Sequence, residues 1–216
     1  MPPIWPPKSW PALIVGIILL IYWLRVLMMV RRTRKNLHRS AHLVPPEPLG
    51  RLLRLIWAPA VVIWVLHPLV TGLLAPQILP LRNLYHQPWL QWPAVAVAVL
   101  AFAATWVCWR NMGDSWRMGI DPTEKTRLVF TGPFAYVRHP IYGLSSLLMI
   151  ATMIAVPSPV MLLVGVTHIL LLQWEVRRED RYLVAVHGQA YRDYQAKVGR
   201  FLPRSLRAYR PDSPVP

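Results

Sequence analysis

Apolar residues in this chain gather in long blocks rather than in alternation. The first block covers 10–30 and is broken only by Arg25. As a helix it rises about 31 Å, enough for a hydrocarbon core of roughly 30 Å. It stops abruptly at Arg31, Arg32, Arg34, Lys35 and Arg39. Blocks over 55–74 and 89–109 predict two more spans. The third is rich in alanine and valine, with Trp89, Trp92, Trp106 and Trp109 toward its ends, where indoles sit at a membrane interface. After a polar stretch over 110–140 come two shorter blocks, 142–156 and 160–174, parted by Pro157-Ser158-Pro159. Each rises about 22 Å, marginal for a crossing, which predicts a short hairpin that is tilted or partly sheltered. Its second helix is expected to continue past Trp174. The fold expectation is an all-α integral membrane protein with about five transmembrane helices, the last two a short hairpin, plus a cytoplasmic C-terminal segment. Residues 1–109 supply three helices, and 110–216 the hairpin and that segment.

Charge orients this arrangement. Lys and Arg number 24 against 9 Asp and Glu, and charged residues make up only 15% of the chain, against roughly 25% in an ordinary soluble domain. The basic residues fall mostly in 31–54, 110–140 and 175–216. The positive-inside rule makes those segments cytoplasmic, suiting the plasma (inner) membrane. A nucleic-acid partner is excluded, because the basic residues flank apolar blocks instead of covering a soluble face among stacking aromatics. The first block exceeds a signal h-region and lacks a small-residue cleavage site, so it reads as a retained span. Cys108, the single cysteine, reads as a small buried hydrophobe. No zinc spacing, nucleophile elbow, phosphate loop or dinucleotide fingerprint is present, and no metal is expected. His38, His42, His67 and His86 are expected at interfacial or loop positions, and His168 within a span, in core or interface roles.

Two polar stretches carry the candidate chemistry. In 128–142, Gly132-Pro133 marks a turn, and Pro140 biases His139 away from helical geometry. Arg138 and His139 are thus presented just before a helix, where Arg, His and aromatics can hold an anionic, ring-containing ligand; a lipid-headgroup anchor is the plainer alternative. In 174–183, Glu175 and Glu179 share a helix face. Three of the 9 acids lie within 175–180, and carboxylates so near a bilayer are costly unless they have a partner or a task. Arg177, Arg178 and Arg181 supply the alternative of a solvated ion-pair helix. Asp114, Asp121 and Glu124 read as loop residues.

The motifs are Gly113-x-x-Trp116-Arg117-x-Gly119, then Leu128-Val129-x-x-Gly132-Pro133-x-x-x-x-Arg138-His139-Pro140-x-Tyr142-Gly143. After the hairpin come Glu179-Asp180-x-x-Leu183 and Gly188-x-x-Tyr191-x-x-Tyr194-x-x-x-Val198-x-Arg200-Phe201-Leu202-Pro203. Together they resemble the isoprenylcysteine carboxyl methyltransferase family and its phospholipid-methyltransferase relatives over roughly 113–203. The resemblance implies that 110–216 is a methyltransferase-like region with a cytoplasmic, cofactor-binding C-terminal segment. The cofactor would be S-adenosyl-L-methionine, and the acceptor a lipid-like or prenylated molecule drawn from the bilayer. Cofactor contacts would fall on Thr126, Arg127, Leu128, Val129, Phe134, Arg138, His139, Pro140, Ile141, Tyr142 and Glu179. Glu175 stands where the eukaryotic enzymes have a substrate-facing arginine, and it cannot clamp a carboxylate as arginine does. Arg178 is the expected substitute, and Glu175 the expected base for an amine or alcohol acceptor. Two alternatives remain: a sterol-reductase-like oxidoreductase using NADPH, which shares an Arg-His-Pro-x-Tyr motif, and a scaffold binding anionic lipid through basic loops.

Overall fold

A computed structural model describes residues 9–36, 48–116 and 128–211. They form six helices and no strand: α1 Trp10–Asn36, α2 Pro48–Leu74, α3 Pro88–Met112, α4 Pro140–Ala155, α5 Pro159–His187 and α6 Gln189–Lys197. Short 3-10 turns occupy Gly113–Ser115 and Gly132–Ala135. Proline opens α2, α3, α4 and α5, where its fixed φ suits the first turn and its missing N–H costs nothing. The Ser158 side chain caps α5 by accepting from the Met161 N–H at 3.2 Å.

The helices α1, α2, α3 and α5 are each long and apolar enough to cross a membrane. The second arm of the hairpin continues past Trp174, as expected. Val160 to Trp174 is only the apolar half of α5, a continuous helix of 29 residues and about 43 Å. Charges after Trp174 end the apolar block but not the helix, and the turn comes at Gly188, whose φ of +57° favours glycine. Only α4 is short, at 16 residues. It packs against α1, α3 and α5, and its far end is capped by protein. The Tyr85 hydroxyl donates to the Ile154 carbonyl at 3.2 Å, and the Gln91 amide to the Ala155 carbonyl at 3.1 Å. The Leu84 N–H donates to the Pro157 carbonyl just beyond, at 2.7 Å. Backbone groups that lipid cannot satisfy are thereby paired.

His67 was expected at an interface or in a loop. It is instead buried inside α2, with Nε2 2.6 Å from Ser158 Oγ, because position 67 falls within the apolar block 55–74 that α2 contains. His38 and His42 lie outside the described residues.

The α1–α2 contact depends on small residues. A Cβ at Gly72 would come within 2.7 Å of the Leu13 backbone, so only glycine allows this approach. Gly72→Val is expected to force the helices apart at a cost of about 1–3 kcal/mol. Thermal unfolding of the purified chain in detergent should then shift downward by several degrees, and an unchanged midpoint would refute the close-packing account.

Candidate active site

At the charged end of the bundle the chain after α6 folds back over the segment preceding α4. Val137 and Gly199 form a parallel bridge. The Arg138 N–H donates to the Gly199 carbonyl at 2.8 Å, the His139 N–H to the Arg200 carbonyl at 3.0 Å, and the Tyr209 N–H to the Ala135 carbonyl at 2.9 Å. Phe130, Tyr194 and Tyr209 pack ring to ring beneath this clasp. His139 has φ −123° and ψ 60° and precedes the first turn of α4, the non-helical geometry expected of a residue before proline.

Asp180 is the fastening point. Its side chain is buried; Oδ1 lies 2.8 Å from His139 Nε2 and accepts from the Tyr191 hydroxyl at 2.7 Å. Oδ2 accepts from Arg200 Nε at 3.1 Å and lies 3.6 Å from Arg138 Nη2. Burial, and then the carboxylate that accepts its hydrogen bond, push the Tyr191 hydroxyl far above the usual phenol range, so it stays a donor. Burial likewise raises Tyr194, whose hydroxyl donates to the Phe134 carbonyl. Arg138 Nη1 donates to the carbonyls of Gln195 and Val198. This guanidinium, expected to meet an anionic ligand, is thus largely engaged in holding the end of α6.

Adjacent residues on a helix point about 100° apart, so Glu179 faces elsewhere than Asp180. It borders a cavity of about 220 Å³, space for roughly seven waters and hence for a small molecule. Glu179 Oε2 is buried without a hydrogen-bond partner, 3.7 Å from His139 Nδ1. The Tyr142 hydroxyl also meets this carboxylate. At the same end the wall is formed by Leu128, Val129, Phe134, Pro140 and Ile141. Of the residues expected to contact a cofactor, Leu128, Val129, Phe134, Arg138, His139, Pro140, Ile141, Tyr142 and Glu179 therefore border one space. Thr126 and Arg127 lie outside the described residues, as do Asp121 and Glu124.

Residues 94–185 match the family model of the isoprenylcysteine carboxyl methyltransferase (ICMT) family. This region is similar to that family. Its members are membrane methyltransferases, and the matched region runs from α3 into α5, so it contains the wall residues, His139 and both acids at 179 and 180. No curated protein matches the chain, and the reductase and scaffold alternatives gain no support.

Within the family region, Glu175 and Arg178 form a two-pronged pair, with Nη1 at 3.1 and 3.0 Å from the carboxylate oxygens. Glu175 lines the cavity, whereas Arg178 does not. Besides Arg138, the arginine that lines it is Arg54, from α2, stacked 4.7 Å over Trp57 and in electrostatic contact with Glu175. Sequence reading missed Arg54, which looked like one of many basic residues flanking a span. The deeper wall includes Tyr22, Trp23, Trp57, Ser145 and His168; no local motif marks them, because they meet only when α1, α2, α4 and α5 assemble.

Proposed function

We propose that the chain is an S-adenosyl-L-methionine-dependent methyltransferase acting on a lipid-like or prenylated acceptor at the cytoplasmic face of the plasma (inner) membrane. The observation that carries this reading is the Glu179 carboxylate oxygen, buried against the cavity with no hydrogen-bond partner. An unpaired buried acceptor is costly, and the ribose hydroxyls or amino group of a nucleoside-derived cofactor offer the donors it lacks. The apolar wall of Leu128, Val129 and Phe134 suits an adenine ring. Of the polar groups around it, Arg138 is held by protein carbonyls, which leaves Glu179 and the backbone near His139 as the polar contacts for the cofactor.

When bound, the cofactor supplies a methyl group on a positively charged sulfur, open to displacement by a nucleophile's lone pair. The chain's own contribution is placement: holding both reactants in one water-poor cavity can supply roughly 7–11 kcal/mol. The acceptor's tail would stay among the helices while Arg54 and Glu175 meet its polar end. Glu175 would take the proton from an amine or alcohol, whereas a carboxylate acceptor needs no base.

Purified protein incubated with methyl-labelled S-adenosyl-L-methionine and a membrane lipid extract should yield a labelled lipid. In parallel, S-adenosylhomocysteine should raise the unfolding temperature and NADPH should not. Stabilisation by NADPH alone would overturn the proposal.

A further inference from the structure

The cavity does not end at Glu175. Along α5 the residues His168, Leu172, Glu175, Glu179 and Leu183 all line it, at spacings of three and four that keep one face of the helix. His168 stands two turns before Glu175, about 10 Å deeper at 1.5 Å per residue. That depth places an ionisable, hydrogen-bonding side chain within the apolar half of a helix able to span the membrane. Polar groups in such a place carry a function by default.

His168 is 1% exposed, and only half of its hydrogen-bonding capacity is used. Nε2 lies 3.2 Å from Ser145 Oγ. Nδ1 is buried and has no partner among the described residues. The ring is fixed from two sides: Trp64 lies 4.7 Å away, and Trp57 is stacked at 6.5 Å with 20° between planes. Such a ring is braced rather than free to turn. Where Ser145 donates to Nε2, Nδ1 carries the proton; in the other tautomer Nδ1 accepts. A hydroxyl satisfies both forms, and a carbonyl satisfies the first.

We propose that His168, braced by Ser145 and the two indoles, is a specificity-determining subsite that receives a hydroxyl or carbonyl oxygen carried inside the acceptor's lipid portion. The acceptor is thus an oxygen-bearing lipid with two polar positions, one at the Arg54–Glu175 level and one about 10 Å deeper, rather than a plain hydrocarbon tail. This deepens the methyltransferase reading and rests on it for the word acceptor, but the binding itself needs no cofactor.

The probes are 10-hydroxydecanoate and decanoate, which share a carboxylate and differ by a hydroxyl at the far end. Binding of each to the full chain in detergent is followed by calorimetry without cofactor. The wild type is expected to prefer the hydroxy acid by about three- to tenfold. His168→Phe should lose that preference, and His168→Gln should retain most of it. Decanoate affinity unchanged in His168→Phe shows that the variant keeps its fold. Equal binding of the two acids to the wild type would overturn the proposal, as it would if water satisfies Nδ1. A preference that survives in His168→Phe would overturn it too. S-adenosylhomocysteine binding, measured separately, tests the methyltransferase reading: its absence would sink that reading while leaving the hydroxyl preference to stand or fall alone.

Discussion

Asp180→Ala is expected to unfasten the C-terminal clasp and lower stability by about 3–5 kcal/mol, the scale seen when one partner of a buried ion pair is removed. The carboxylate gathers His139, Tyr191, Arg200 and Arg138 from three separate parts of the chain. Without it, the Arg138 guanidinium stays buried, at 6% side-chain exposure, next to a phenol that has lost its acceptor. Against a total of roughly 5–15 kcal/mol, such a loss is large. Thermal unfolding should show a lowered midpoint, and limited proteolysis should cut the chain after α6 faster than in the wild type. An alanine variant with the wild-type midpoint and cleavage pattern would remove Asp180 from this role.

Glu179→Ala should do the opposite. Oε2 of this carboxylate has no hydrogen-bond partner in the folded chain, so the fold loses little when it is removed. Under the proposed function, it is the cofactor that loses an acceptor. Hydrogen bonds to a charged group contribute about 1.5–3 kcal/mol, so S-adenosylhomocysteine affinity measured by calorimetry should fall roughly ten- to a hundredfold. The unfolding midpoint of the free protein should move by far less than in Asp180→Ala. Unchanged affinity would show that this carboxylate does not hold the cofactor. Two neighbouring acids thus separate the stability of the clasp from the occupancy of the cavity.

The spans over 10–30, 55–74 and 89–109 were legible because lipid demands uninterrupted apolar length, and α1, α2 and α3 contain them. The continuation of the second hairpin arm past Trp174 was legible, but its end at His187 was not, since hydropathy marks where lipid ends and not where hydrogen bonding along a helix ends. The pairing of 128–142 with 174–180 was legible through motif order, and both stretches border one cavity. The division of labour between Glu179 and Asp180 was not. It depends on a rotation of about 100° between successive residues and on where the clasp lies. Arg54, Tyr22 and Ser145 were equally hidden, because their meeting is decided by how helices distant in sequence pack.

One rod, α5, carries the deep histidine, the mid-cavity carboxylate and the carboxylate at the mouth. Their separations are therefore metered by backbone rise, and no side-chain rearrangement can bring the two ends of the cavity together or apart. A guest must match a fixed gauge, and discrimination by length comes built into the scaffold. Its precision is that of helical geometry itself.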